Sequence, residues 1–328
     1  MDVRAFGGAI LAAAIGTMLS AAPLQAQTPS AGPAPSILSQ RIAALAGTEA
    51  GRLGIAAQDL QTGQTVSFSG SDPFPMASTV KIAIAGTYLA GVDSGRLSLD
   101  QMFGRGRGSV SASHLLQAML IRSDNGASDI LLRAVGGPQA VDTWLQRAGV
   151  RGQRMDRTIA RLVQDDRPPM KVVRTRYRDR HKRWHTRTVW VRANPGIRPA
   201  AASDARDTST PAAMITLLAK LRQGALLGVD STNYLFEVMA RCVTGSHRIK
   251  GMLPAGTPVA HKTGTLAGVS NDVGIVTLPN GHHLAVAIFA HGMRSDAERN
   301  RSIAAAARLL YDGFSAMEQG AVRWSAAR

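Results

Sequence analysis

Apolar residues recur at helical spacing over residues 37–46, which predicts a first helix. The pattern then changes: residues 53–59 and 64–69 are strand-like runs around Thr62-Gly63, the composition of a hairpin turn. Val80, Ile82, Ile84 and Leu89 follow Pro73 and Pro75, so a buried helix is predicted over 78–91, beginning near Ala77 or Ser78. Residues 111–150 are helical in pattern, with breaks at Asp124-Asn125-Gly126 and Gly136-Gly137-Pro138. Thr210-Pro211 opens a helix to residue 221, since proline is favoured in a first turn, and 233–243 predicts another. Strand patterns return at 257–262, 273–278 and 283–290, the last two around Pro279-Asn280-Gly281, where Asn-Gly between apolar runs signals a hairpin. Ile303, Ala307 and Leu310 mark a closing helix over 296–314. The order αββ, helices, ββα predicts an α/β (α+β) fold. Its antiparallel sheet is built from both chain ends and flanked by N- and C-terminal helices, with an all-helical subdomain over about residues 71–203.

Charge changes this picture in one place. Residues 151–198 hold 15 Lys or Arg against four Asp, a net +11 of the formal +16, leaving +5 for the other 280 residues. The basicity therefore belongs to one segment, and nucleic acid is not an expected partner. Within it, Val173, Thr175 and Tyr177 alternate with Arg174, Arg176 and Arg178, and Trp184, Thr186, Thr188 and Trp190 repeat at period two. That predicts a hairpin-like ribbon, in a basic insertion over about 164–202, with one basic face and one aromatic or threonine-bearing face. It reads as a solvated arm or, through residues 171–192, as a clamp on an anionic cell-envelope polymer.

Arg4, the small apolar run 5–22 and Leu24-Gln25-Ala26 predict a signal peptide over 1–26, followed by a flexible lead-in over 27–35. The expectation is a secreted, periplasmic monomer without a membrane span, one catalytic domain over 36–318, and a tail over 319–328. Cys242 is the only cysteine, which excludes an intrachain disulfide and a cysteine metal cluster, and it is expected to be a buried helical thiol.

Three short motifs carry the chemistry: Ser78-Thr79-Val80-Lys81 at a helix start, Ser123-Asp124-Asn125 between helices, and Lys262-Thr263-Gly264 at a predicted strand end. The first is weak alone, but the ordered set is strong. The chain uses 32 arginines and only six lysines, yet positions 81 and 262 are lysine. An ammonium can lose its proton when desolvated and a guanidinium cannot, so Lys81, one turn beyond Ser78, suits a base.

With these motifs the chain resembles the class A β-lactamases, among the penicillin-recognising serine hydrolases. The resemblance extends through residues 206–211 and 244–264. It implies that Ser78 is the acylated nucleophile and Lys81 its proton acceptor. Ser123 would relay the proton to the leaving nitrogen, and Asn125 would hold Lys81 and the substrate amide. Lys262, Thr263, Gly264 and Thr265 would form the carboxylate-binding strand, with Arg248 as a second cation, and the backbone N–H groups of Ser78 and Thr265 would form an oxyanion hole. The implied apparatus needs neither cofactor nor metal. His261 precedes Lys262 on the strand, points to the opposite face and is a poor catalytic candidate.

The sequence departs from the resemblance at three places. Ile159 stands where the family has its deacylating glutamate, and Val163 where it has an asparagine; none of the four glutamates, at 49, 237, 298 and 318, lies nearby. Asp165 or Asp166 would be the substitute base if the loop folds back. The second departure is the basic insertion. The third is the short interval from Ser78 to Ser123, 45 positions, where Gly104-Arg105-Gly106-Arg107-Gly108 replaces a longer loop and a more open mouth is expected. The leading reading is a β-lactam hydrolase with slow deacylation. The alternatives are a D-Ala-D-Ala-peptidase-like or other amide or ester hydrolase on a peptidoglycan-like substrate, and a non-hydrolysing penicillin- or envelope-binding protein.

Overall fold

A computed structural model describes residues 37–49, 51–166, 170–192 and 204–326; the predicted signal segment 1–26 and lead-in 27–35 lie outside the described residues. Helix α1 (Ile37–Gly47) leads into strands β1 (Arg52–Asp59) and β2 (Thr65–Phe68). Strand β3 (Phe74–Pro75) and a 3₁₀ turn over Ala77–Val80 precede helix α2 (Lys81–Asp93). Strands β4 (Met102–Phe103) and β5 (Val110–Ser111) enclose the glycine-arginine loop. Helices α3 (Ala112–Ile121), α4 (Asn125–Ala134), α5 (Pro138–Arg147) and α6 (Ile159–Asp166) follow. Next come strands β6 (Met170–Arg178), β7 (Trp184–Arg192) and β8 (Thr208–Ser209), then helices α7 (Pro211–Arg222) and α8 (Val229–Ala240). Strands β9 (Val259–Leu266), β10 (Val269–Thr277) and β11 (His283–His291) and helix α9 (Asp296–Ala326) complete the chain. Among the described residues no helix is long and apolar enough to cross a membrane.

The sheet has the order β2-β1-β11-β10-β9, antiparallel throughout, so the first two strands pair with the last three as the sequence predicts. Its central strands are apolar on both faces. Leu284, Val286, Ile288 and Ala290 of β11 pack with α1 and α9, while Ala285, Ala287 and Phe289 join the core under α2 and α7. This period-two division explains why β11 reads as an unbroken apolar run. The sheet thereby separates two cores, and the helical one buries α2 almost completely, from Ile82 to Leu89.

Several boundaries differ from the sequence pattern. Lys262-Thr263-Gly264 lies inside β9, not at a strand end, because β9 continues to Leu266 and turns through Ala267-Gly268 into β10. The opening residues of β10 include Ser270, Asn271 and Asp272, which are polar yet fully buried, and an apolar pattern stops short of them. Asp124 ends the gap between α3 and α4, accepting the Ala127 N–H at 2.7 Å as an N-cap, so Asn125-Gly126 opens a helix and does not break one. Helix α8 begins four residues earlier than expected and ends before Cys242, which lies in the loop that follows. Helix α9 runs through most of the predicted tail to Ala326.

The ribbon forms as β6 and β7, but its faces are not divided as expected. Cross-strand partners are Arg174 and Thr188, Arg176 and Thr186, and Arg178 and Trp184, so arginines, threonines and tryptophans share one face. The register set by the five-residue turn 179–183 decides this. Periodicity within each strand fixes a face, but only the pairing shows which faces coincide.

Candidate active site

The Ser78 turn is built under strain. Ala77 has φ +50°, in the left-handed region that residues with a Cβ avoid, and costs on the order of 1–3 kcal/mol. Its neighbours hold it there: the Met76 N–H donates to Asp207 O at 2.9 Å, and Asn271 Nδ2 donates to Pro75 O at 2.7 Å and Met76 O at 3.0 Å. Strand β9 then packs directly against the turn. A Cβ on Gly264 would lie 2.5 Å from Met76 O and 3.2 Å from the Ser78 nitrogen, which is why the third motif carries glycine there. Ser78 itself is half-buried, in the 3₁₀ turn that leads into the N-terminus of α2, the end of a helix that favours negative charge.

The second motif is a turn whose members each have a separate task. Ser123 takes φ +60°, Asp124 caps α4, and Asn125, the first residue of α4, turns its side chain back toward α2. Lys81 Nζ donates to Asn125 Oδ1 at 2.7 Å, to Ser123 O at 2.7 Å and to Ser123 Oγ at 3.2 Å, and forms no hydrogen bond with Ser78. Lys262 Nζ reaches the same Ser123 hydroxyl at 2.9 Å and Thr263 O at 2.9 Å. The Ser123 hydroxyl thus lies between two ammonium groups, both fully buried.

That proximity sets the electrostatics. Burial, then the charge of Lys262, pulls the Lys81 pKa down to about 7 against the pull of Asp124 and Asp129. Burial also lowers Lys262, to about 8. At neutral pH a large share of Lys81 is therefore an uncharged amine able to take a proton, while Lys262 remains mostly a cation able to hold an anion.

A second row runs along the opposite face of β9. Thr263 Oγ1 lies 2.6 Å from Thr244 Oγ1, which is 3.3 Å from Cys242 Sγ. Thr265, exposed, accepts from Arg248 Nη2 at 2.8 Å. Arg248 is not a surface residue: its Nη1 donates to Gly264 O and Asn271 O, both at 2.8 Å, and its Nε to Asn300 Oδ1 at 2.8 Å. It ties β9 to β10 with its remaining fork beside Thr265. His261 does point away from Lys262, into a fully buried pair with Asp272 at 2.8 Å. Burial alone would lower the imidazole, but Asp272 outweighs it and raises the pKa to about 9. Cys242 faces this imidazole; burial opposes ionisation, yet the His261 contact brings the thiol down to about 7. The sequence marks Cys242 only as a buried thiol and does not single out Asn271 or Asp272. Only the β9–β10 register, which sets Asp272 opposite Thr263, reveals this row.

The departures also have physical form. Ile159 is buried in the helical core, and its N–H and that of Ala160 are both taken by the buried carboxylate of Asp129, at 2.8 Å each. The first turn of α6 is thus capped from α4, without a glutamate. Asp165 is bound to Arg157 and Arg161, each at 2.9 Å, which holds its carboxyl below the usual range. Asp166 instead accepts the Ala267 N–H at 3.1 Å, in the β9–β10 turn. The shortened segment between Ser78 and Ser123 borders a cleft of about 570 Å³ lined by Phe103, Val110, Leu115 and Ile130.

The sequence model of the β-lactamase enzyme family matches residues 37–314. The chain belongs to that family, and it is a class A serine β-lactamase-like hydrolase. It is 28% identical over 279 residues to β-lactamase VEB-1 of Pseudomonas aeruginosa, covering 77% of this chain and 81% of that one. It is 29% identical over 259 residues to the extended-spectrum β-lactamase PER-1 of the same organism, covering 71% and 73%. Among solved structures, an ancestral class A β-lactamase aligns with TM-score 0.70 at 29% identity, over 84% of this chain and 99% of that one. A β-lactamase from Chitinophaga pinensis aligns with TM-score 0.69 at 29% identity, over 84% and 98%.

Proposed function

We propose that this protein is an exported, monomeric β-lactam hydrolase that is acylated on Ser78 and releases its acyl-enzyme slowly. The carrying observation is the Ser123 hydroxyl held between Lys81 and Lys262 beside the strained Ser78 turn. Ser78 Oγ adds to the lactam carbonyl and gives its proton to neutral Lys81. The C–N bond then breaks as Ser123 passes a proton to the lactam nitrogen, leaving an ester on Ser78. Asn125 orients Lys81 and the substrate amide; Lys262, Thr263 and Thr265 bind the substrate carboxylate, with Arg248 adding positive potential behind Thr265. Water completes the cycle by attacking the ester, and here the family's glutamate is absent. Loss of a positioned base costs about 10²- to 10⁴-fold in rate. A second partner, an anionic envelope polymer, is assigned to residues 171–192.

The pH dependence has a definite sign. Acylation requires neutral Lys81, so it rises as pH increases through about 7, and it requires charged Lys262, so it falls as pH increases through about 8. A bell-shaped profile of the acylation rate, with limbs belonging to the coupled lysine pair, is the expected result in rapid-mixing experiments with a chromogenic cephalosporin. A flat profile from pH 6 to 9 would remove Lys81 as the base.

The buried Ile159 favours a second reading, a peptidase-like enzyme or penicillin trap acting on peptidoglycan-like substrates. Intact mass followed over time with a penicillin separates the two. An adduct on Ser78 that forms and clears while lactam is consumed supports the hydrolase; a stoichiometric adduct that persists supports the trap. Absence of any adduct refutes both.

A further inference from the structure

The ribbon carries a concentration of unpaired charge found nowhere else in the described chain. Residues 170–192 contain nine Lys or Arg and a single acid, Asp179. That acid is engaged within the turn, accepting from His181 N at 2.8 Å, Arg183 N at 2.9 Å and the His185 ring at 2.8 Å. It leaves Arg174, Arg176, Arg178 and Arg187 outside any ion pair among the described residues. Strands β6 and β7 pack chiefly on each other, so neither is explained by a role in the core. Arg157 bridges Asp165, which precedes the ribbon, to Asp204, which follows it, at 2.9 and 3.2 Å. An exposed two-stranded arm suits presentation of a surface.

One face of that arm has an organised chemistry. Arg174, Arg176 and Arg178 form a row at two-residue intervals, ~6.6 Å apart along the strand. Thr188 and Thr186 stand opposite the first two. The guanidiniums of Arg176 and Arg178 lie 5.0 and 4.9 Å from the Trp184 ring centroid, which holds their forks in place. Trp190, 66% exposed, stands at the other end of the face beside Val172. Repeated cationic forks flanked by hydroxyls and an open indole match a polymer whose anionic groups recur along a chain of sugar rings. Guanidiniums pair with the carboxylates, hydroxyls with ring oxygens, and the indole lies against an apolar sugar face.

The arrangement argues against other polyanions. Insertion into a lipid surface needs a wholly apolar face segregated from the cations, but the exposed Trp190 lies on the arginine face and the opposite face, with Val173, Tyr177 and Val189, itself carries Arg187. Base stacking on single-stranded nucleic acid needs successive free ring faces, and the Trp184 ring, although exposed, is already engaged by Arg176 and Arg178.

We infer that the Arg174–Arg176–Arg178 face of the ribbon docks the protein on a carboxylate-bearing cell-wall glycan, independently of turnover at Ser78. This rests on the envelope-polymer reading of residues 171–192 and specifies its face and ligand chemistry. The test is co-sedimentation of residues 27–328 with purified peptidoglycan sacculi at low and high salt. Anionic phospholipid vesicles and a single-stranded oligonucleotide serve as competitors, and thermal unfolding as a fold control. The wild type is expected to bind saturably and to be released by salt. Arg174→Gln/Arg176→Gln/Arg178→Gln should bind about a hundredfold more weakly. Arg187→Gln, on the opposite face, should change binding less than about threefold, with unfolding unaltered in both. An equal loss per charge on the two faces overturns the face assignment but leaves the polymer reading standing. Failure of the wild type to bind sacculi overturns the polymer reading itself, and displacement by vesicles or oligonucleotide in preference to sacculi overturns the glycan.

Discussion

Replacing Lys81 by Arg is expected to slow acylation of Ser78 by about 10²- to 10⁴-fold. The substitution keeps a positive charge and enough length to reach Ser123 and Asn125, so a purely electrostatic role would survive it. Proton acceptance would not, because a guanidinium stays protonated at any working pH. Lys81 is fully buried and brought to about 7 by burial and by Lys262, the two conditions that give a lysine its base at neutral pH. The larger arginine also strains the core around α2, so Lys81→Met, which fits the cavity without a charge, is the companion variant. Both should lose acylation, and the Met variant's unfolding midpoint should stay close to the parent's, which separates loss of the base from loss of the fold. An arginine variant within tenfold of the wild type would move the base elsewhere, and Ser78→Ala, expected to show no acylation, sets the floor.

The chemistry of this site was more legible in the sequence than its support. Ser78, Lys81, Ser123, Asn125 and Lys262 lie in short motifs whose residue types are constrained by reaction chemistry, and the structure brings Lys81, Ser123, Asn125 and Lys262 into hydrogen-bonding contact beside the Ser78 turn. The bracing residues carry no such signature. Asn271, which holds the Met76 carbonyl, and Asp129, which caps α6, are ordinary polar residues until the fold sets them 195 and 30 positions away in sequence from their partners. The apolar pattern covers only part of strand β10 for the same reason: its buried Ser270, Asn271 and Asp272 are satisfied by partners on other elements, and a local pattern registers only the residues beyond them. Arg248 shows the converse, since nothing in Ser246-His247-Arg248 distinguishes a surface arginine from one bound to two strands.

Deacylation is where a substitution should separate the readings most sharply. Asp165 and Asp166 are neighbours on α6 but have different surroundings. The two arginines on Asp165 hold its carboxyl low, which makes it a weak proton acceptor and a structural tie between Arg157 and Arg161. Asp166 is held by the Ala267 N–H, two residues beyond Thr265, and so reaches the strand that flanks Ser78. Asp166→Asn keeps an oxygen to accept that N–H but cannot take a proton from water. If Asp166 serves as the base, the acylation rate should be unchanged and the lifetime of the Ser78 adduct should lengthen by about 10²-fold or more, read by intact mass after rapid removal of free penicillin. Asp165→Asn should leave that lifetime nearly unaltered and lower the unfolding midpoint, because Arg157 loses one of its carboxylates. An unchanged lifetime in Asp166→Asn excludes a base on that side of the site. Water would then reach the ester unassisted, and the buried Ile159 would by itself account for a long-lived acyl-enzyme.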